Sequence, residues 1–280
     1  MTWWMLALAA LAALAGGLAA TIFALAVARW LRSRRRPRAP ARPRFPVVLA
    51  HGFLGFDEVA LGWQRHAYFR GIAARLEQMG AKVYSPRVPG VASIATRAES
   101  LAALIRSLPD ERVNIVAHSM GGLDARYAIS QLGLSGKVAS LITIGTPHLG
   151  TPLADMGSKM LARLVRMLAR FIDLRAFVDL TTAGMERFNR QVPDAPGVAY
   201  GSVVGHSAKL RTHPLLWAPH VYLSKYAGPN DGLVPSASQP WGDVVQEIEA
   251  DHWAQVGWSR GFDAVGLYEE LLRDLRGKGF

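Results

Sequence analysis

With 280 residues, half of them hydrophobic, the chain can build one large buried core, and a disordered chain is excluded. Its formal charge of +11 is local: eight arginines (Arg29, Arg32, Arg34, Arg35, Arg36, Arg38, Arg42 and Arg44) precede Phe45 with no acid among them, and the other 24 basic and 21 acidic residues leave only +3. No aromatic is interleaved from Arg32 to Arg44, which argues against a nucleic-acid partner, and a chain without cysteine fits any compartment.

The first element is apolar. Trp3 to Ala28 holds no charged residue and is rich in Leu and Ala, long enough as a helix to cross a hydrocarbon core of about 30 Å. A cleavable signal peptide wants a positive start and a shorter apolar stretch, and no Lys or Arg precedes Arg29. Residues 1–31 are therefore predicted as a retained single-pass transmembrane helix. The Arg/Pro-rich stretch 32–44 follows as an extended linker, since Pro37, Pro40 and Pro43 cannot continue a helix. Its charge suits anionic headgroups. Positive charge kept inside would put the following domain on the cytoplasmic side, as for a bacterial inner-membrane protein.

From residue 45 to 280 the punctuation is regular. Apolar runs at Pro46–Ala50, Lys82–Tyr84, Val113–Val116, Ser140–Ile144, His220–Tyr226 and Val244–Ile248 read as strands. Helix-period segments at Phe69–Met79, Ile94–Ser107 and Leu123–Leu134 lie between the early ones. That alternation predicts an α/β domain, a mostly parallel sheet with helices on both faces. The pattern breaks between Thr151 and Val198, where helical sequence without a strand predicts an insertion over about 152–197.

The chemistry centres on Ala117-His118-Ser119-Met120-Gly121-Gly122, which follows a predicted strand and precedes a predicted helix. A serine on so sharp a turn needs small neighbours two residues away on each side, and Ala117 and Gly121 supply them. This resembles the nucleophile elbow of an α/β-hydrolase fold. An oxyanion formed at Ser119 needs two aimed N–H donors. One belongs to Met120, after the nucleophile, and the other to Phe53, in the His51-Gly52-Phe53-Leu54-Gly55 loop after the first strand.

Serine also needs a base and an acid to orient it, in the chain order acid then histidine. His51 and His118 sit in the two loops already assigned, and His148 follows Thr146-Pro147. His66, His206, His213 and His220 precede the best acid. His252, just after the last strand, remains. The acid is Asp231, on the polar turn Gly228-Pro229-Asn230-Asp231-Gly232. Of its rivals, Asp251 neighbours His252 and would point away from it in extended chain, and Asp243 lies near the start of the last strand.

Taken together, the stretches Val47–Phe53, Val116–Gly122, Ile144–Thr151 and Asn230–Val234 resemble those of the bacterial triacylglycerol lipases and esterases of the α/β-hydrolase superfamily. Asp179-Leu180-Thr181-Thr182 with Phe188-Asn189 is similar to the segment after that family's lid. The resemblance covers roughly residues 46–257. It implies a serine esterase acting on medium or long acyl esters through Ser119, Asp231 and His252, with Phe53 and Met120 as oxyanion donors and no cofactor. Many members hold a structural calcium with an aspartate two residues after the histidine; here that position is Ala254, so no metal is expected.

Lys159 to Val178 carries Met160, Leu161, Leu164, Val165, Met167, Leu168, Phe171 and Ile172 with four arginines interleaved. It reads either as a surface-seeking lid helix or as a packed helix with solvated arginines. The expected partners are a lipid or ester substrate and a membrane, through the N-terminal helix and the basic collar, with the oligomeric state open. The same residues leave room for a phospholipase, a thioesterase, an acyltransferase or a non-catalytic membrane-anchored binding protein.

Overall fold

A computed structural model describes residues 42–53, 58–61, 64–157, 178–259 and 261–280. The expected span at 1–31, most of the linker, and nearly all of the expected lid helix lie outside those residues. Among the described residues no helix is long and apolar enough to cross a membrane.

Six parallel strands form the main sheet: β1 (Val47–Ala50), β4 (Val83–Tyr84), β5 (Val113–His118), β6 (Val138–Ile144), β7 (Ala199–His206) and β8 (Asp243–Glu249), in the order β4-β1-β5-β6-β7-β8. A separate antiparallel pair joins β2 (Glu58–Leu61) to β3 (Gln64–Ala67). The central strands β5 and β6 are buried along their whole length, as expected where helices cover both faces of a parallel sheet.

Strand alternation sorts their side chains. Val47, Leu49 and Val116 face one side, against α1 (Ile72–Gln78) and α6 (Ala264–Gly277) through Ile72, Leu76, Leu267, Leu271 and Leu275. Val48, Ala50, Ile115 and Ala117 face the other, against α2 (Ile94–Ser107) and α3 (Gly121–Gln131) through Ala98, Leu101, Ile105, Ala125 and Ile129. Each fully buried Leu or Ile contributes about 1.5–3 kcal/mol. The helix starts are capped from the sequence: Ser93 accepts from the Thr96 N–H and Asp263 from the Gly266 N–H.

Two features of the sheet differ from the sequence expectation. His220–Tyr226 is not a strand; it forms most of α5 (Trp217–Tyr226). Its β-prone residues mislead, but His220 and Leu223, three residues apart, are the buried ones, which is helical spacing. The missing strand is β7, which carries two glycines and a serine and so lacks an apolar run. A side chain at Gly205 would collide with Gln255, so packing against the loop after β8 forbids the residues that make a strand legible.

Within the expected insertion, residues 152–157 are helical and α4 spans Thr182–Gln191. Thr181 caps α4 by accepting from the Gly184 N–H at 3.0 Å, and Thr182 Oγ1 donates to Asp155 at 2.7 Å. Arg126 of α3 clamps the far end. Its guanidinium lies 3.3 Å from the Trp241 ring centre and donates to Asn189 Oδ1 at 2.9 Å and the Val192 carbonyl at 3.1 Å.

Candidate active site

The turn between β5 and α3 carries Ser119 at φ 56°, a left-handed conformation shared by no other non-glycine residue among those described. Such a conformation costs an L-residue roughly 1–2 kcal/mol, and three hydrogen bonds hold it. The Ser119 N–H donates to the Ile144 carbonyl at 2.9 Å, and the Ser119 carbonyl accepts from Gly122 N–H at 3.1 Å and from Thr146 Oγ1 at 2.7 Å. Space around the turn is equally restrictive. A Cβ on Gly121 would lie 2.5 Å from the Ala50 oxygen, and one on Gly52 would lie 2.6 Å from the Ser119 Cβ. The loop after β1 is thus pressed directly against the serine at Gly52, the residue before Phe53.

That loop is gripped from below by a residue the sequence did not single out. Arg97, on the first turn of α2, is wholly buried and paired with Asp124 of α3 at 2.8 Å. Its Nη2 donates to the His51 carbonyl at 2.7 Å and the Gly52 carbonyl at 3.2 Å, and its Nη1 to the Pro89 carbonyl at 2.6 Å. A trans peptide points its C=O and N–H in opposite directions. Holding the Gly52 carbonyl therefore fixes the direction of the Phe53 N–H, which belongs to the same peptide unit. Burial pushes the Asp124 carboxyl up to about 7 despite the arginine beside it. The other donor candidate, Met120, is fully buried and caps the N-terminus of α3, where the first N–H groups have no acceptor within the helix.

Asp231 and His252 meet across two loops. His252 Nδ1–H donates to Asp231 Oδ2 at 2.8 Å, and His252 N–H donates to the Asp231 carbonyl, also at 2.8 Å. Asp231 is wholly buried, and its Oδ1 accepts from the N–H groups of Leu233 at 3.0 Å and Val234 at 2.8 Å. A proton on Nδ1 leaves Nε2 as the basic nitrogen of that ring. The loop bearing Asp231 follows α5, not a strand as the sequence suggested. The rivals have other roles. Asp243 opens β8 and is exposed; Asp251 accepts from the N–H groups of His213, Trp253 and Ala254 and from Ser259 Oγ, holding the turn that presents His252.

A buried chain of hydrogen bonds joins these parts. Gln255 Nε2 donates to Asp231 Oδ2 at 3.0 Å, so its Oε1 faces His118 Nε2 at 3.1 Å as an acceptor. His118 therefore carries its proton on Nε2, and its Nδ1 accepts from the Tyr68 hydroxyl at 2.7 Å. The Tyr68 oxygen is in turn hydrogen-bonded by the backbone of Gly52, and burial drives its hydroxyl pKa upward. Burial, and then the neighbouring His252 ring, hold His118 well below the usual histidine range, so it is neutral. Its ring centre lies 4.5 Å from that of His252.

Sequence reasoning placed His118 in the elbow but gave it no task. The signal was strand alternation: His118 lies two residues after Val116 and so shares its face, the one covered by the loop after β8. His148 bonds Thr143 Oγ1 and Arg126, each through one ring nitrogen. Among the described residues no cluster of three or more metal-ligating side chains occurs.

Comparison with known proteins agrees with this architecture. The family profile of the alpha/beta hydrolase fold matches residues 46–182. Triacylglycerol lipase 2 of Saccharomyces cerevisiae is 32% identical over 85% of this chain and 93% of its own length. A triacylglycerol lipase of Pseudomonas fragi is 27% identical, covering 84% of this chain and 97% of the relative. Among solved structures, a metagenomic carboxyl esterase superposes with a TM-score of 0.72 at 21% identity, covering 84% of this chain and 76% of that one. The chain belongs to the lipases and esterases of the α/β-hydrolase fold, and as a member of that family it is a carboxylic ester hydrolase.

Proposed function

We propose that the chain is a lipase-type serine hydrolase that cleaves medium or long acyl esters through an acyl-enzyme on Ser119. Ser119 Oγ attacks the ester carbonyl carbon while His252 Nε2 takes its proton, and Asp231 holds the imidazole in the tautomer that permits this. The carbonyl π electrons move onto oxygen, where the Phe53 and Met120 N–H groups receive the charge. Collapse expels the alcohol, which takes the proton from His252. Water, deprotonated by the same histidine, then releases the acid. No step calls on a metal or organic cofactor.

One observation carries the reading: the buried His252–Asp231 hydrogen bond at 2.8 Å, with the His252 ring centre 4.5 Å from that of His118, the residue before a serine held at φ 56°. The long acyl preference rests on the names of the relatives and on apolar side chains near the two ends of segment 158–177, where Leu149, Met156 and Val178 are exposed. On this reading the helix expected over Lys159–Val178 is a lid, residues 1–31 are an anchor, and the basic collar holds the domain at a membrane surface.

The test is hydrolysis by the full chain of p-nitrophenyl esters of increasing acyl length, with Ser119→Ala as control. The proposal expects rates that rise toward long chains and vanish in the variant. Activity confined to the shortest esters would overturn the lipase assignment, and activity retained by Ser119→Ala would overturn the mechanism.

A further inference from the structure

The segment from Ser207 to Ala227, between β7 and the loop of Asp231, presents apolar side chains to solvent. Leu210 is 89% exposed and Leu215 74%, and Trp217, Val221 and Tyr226 are also exposed. Large apolar groups gathered so densely on a surface mark an interaction site. Their arrangement is built. Leu210 and Leu215 lie on two short 3-10 turns, Lys209–Arg211 and Pro214–Leu216, that lead straight into α5. On α5, Trp217, Val221 and Lys225 share one stripe at four-residue spacing, while His220 and Leu223 anchor the opposite side. Trp217 Nε1 donates to the Thr212 carbonyl at 2.8 Å, which fixes the indole at the junction. Tyr222 and Tyr226 pack ring against ring, and Lys225 lies 5.1 Å over the Tyr226 ring.

Charge selects the occupant. The segment Ser207–Ala227 contains Lys209, Arg211 and Lys225 and no Asp or Glu; Arg211 is paired with Glu249 of β8 at 2.7 Å, so the exposed Lys209 and Lys225 carry the charge argument. Exposed Leu with Trp and Tyr, bordered by basic side chains, matches the interfacial region of a bilayer with anionic headgroups. The segment is also coupled to the site. Leu216 packs on Gly232, next to Asp231, and His213 packs edge-on against Trp253, next to His252, with ring centres 4.8 Å apart.

We infer that Ser207–Ala227 is a membrane-docking surface, which seats the domain on anionic lipid through Leu210, Leu215, Trp217 and Val221. It rests on the proposed lipid-ester function only for the identity of what is delivered. Docked this way, the domain holds its Asp231 and His252 loops next to the lipid surface.

Because the chain has no cysteine, single labels are clean. An environment-sensitive fluorophore is attached at Leu210→Cys, at Leu215→Cys, and at Gly136→Cys, a position that faces open space ahead of the N-terminal end of β6. The full chain, also carrying Ser119→Ala, is mixed with vesicles of phosphatidylcholine with or without phosphatidylglycerol. The expected result is a blue shift and brightening at the first two labels on anionic vesicles, and none at the third. No change at Leu210 and Leu215 overturns the proposal. So does a change driven by protein concentration without lipid, which would identify a second copy of the chain as the occupant. An equal response on neutral vesicles overturns the anionic assignment. Lys209→Glu with Lys225→Glu should lower hydrolysis of an ester carried in anionic vesicles by about thirtyfold or more, at about fivefold per basic side chain, and leave a short soluble ester unaffected. The label result does not depend on catalysis, so loss of the hydrolase reading and loss of the docking reading are told apart.

Discussion

Gln255 and His252 place hydrogen-bond donors on the same oxygen of Asp231, at 3.0 and 2.8 Å. The acid proposed to orient the base is thus itself oriented by an amide, and that amide is fixed through His118 and Tyr68 to the Gly52 backbone beside the serine. A single buried chain of polar contacts therefore spans the proposed oxyanion loop and the proposed acid. Such chains rigidify a site only while every member is satisfied.

Gln255→Leu breaks this chain. It leaves His118 Nε2–H without its acceptor and removes one donor from Asp231, with an expected loss of about 1–3 kcal/mol in stability. Because Asp231 keeps three other hydrogen bonds from Leu233, Val234 and His252, the fold survives. The expected signature is a fall in kcat with KM nearly constant and an altered pH profile, read from steady-state kinetics. Gln255→Glu retains an acceptor for His118 but sets a second carboxylate against Asp231, and should be worse.

Gly52→Ala tests the close approach of the two loops. The new methyl would sit 2.6 Å from the Ser119 Cβ and 2.9 Å from the Tyr68 hydroxyl, so one loop must retreat. A displacement near 1 Å is expected to lower kcat by about a hundredfold. Circular dichroism should remain that of the folded protein; an unchanged kcat would show that the loop does not position the serine.

Arg97→Lys keeps the charge beside Asp124 but loses the fork that grips the carbonyls of His51, Gly52 and Pro89. The Phe53 N–H should then wander, at a cost in kcat of about tenfold or more, approaching the 10²–10³ seen when an oxyanion donor is lost outright. Arg97→Met would instead strand Asp124 in the interior and should lower stability by about 3–5 kcal/mol. Thermal denaturation separates the two outcomes.

The fold was legible wherever one physical pattern dominated. Val113–Val116 and Ser140–Ile144 are continuous apolar runs because both faces of their strands are covered. Ile94–Ser107 matched its helix to the residue because Ser93 caps it and its buried positions recur at three and four. β7 was illegible because its contact with Gln255 demands glycine, and α5 was misread because its exposed face is made of β-prone residues. At the site, turn chemistry and chain order were enough to propose Ser119, Asp231 and His252, and the structure joins the last two by a hydrogen bond. Arg97, Tyr68 and Gln255 could not, since their roles depend on contacts 46, 50 and 24 residues away in sequence.

Acid should destabilise the protein through buried histidines. Burial holds His118 and His148 well below the normal value of 6.5 in the folded state, whereas the unfolded chain protonates both near that value. Their contribution is intact above about 6.5 and is lost as pH falls toward their folded-state values, because the unfolded state binds more protons. Each adds a slope of about 1.4 kcal/mol per pH unit in that window. Chemical denaturation from pH 7 down to 5 should show the loss, and His118→Gln should make the acid limb shallower even if it starts lower.

The central claim is that Ser119 is the nucleophile, and the most direct measurement is covalent capture. The full chain is treated with a long-chain p-nitrophenyl phosphonate, digested, and mapped by mass spectrometry. The account predicts one phosphonylated residue, Ser119, with activity lost in proportion to labelling, no label in Ser119→Ala, and strongly slowed labelling in Asp231→Asn. Loss of activity with the label on another residue, or full hydrolysis by Ser119→Ala, would contradict it.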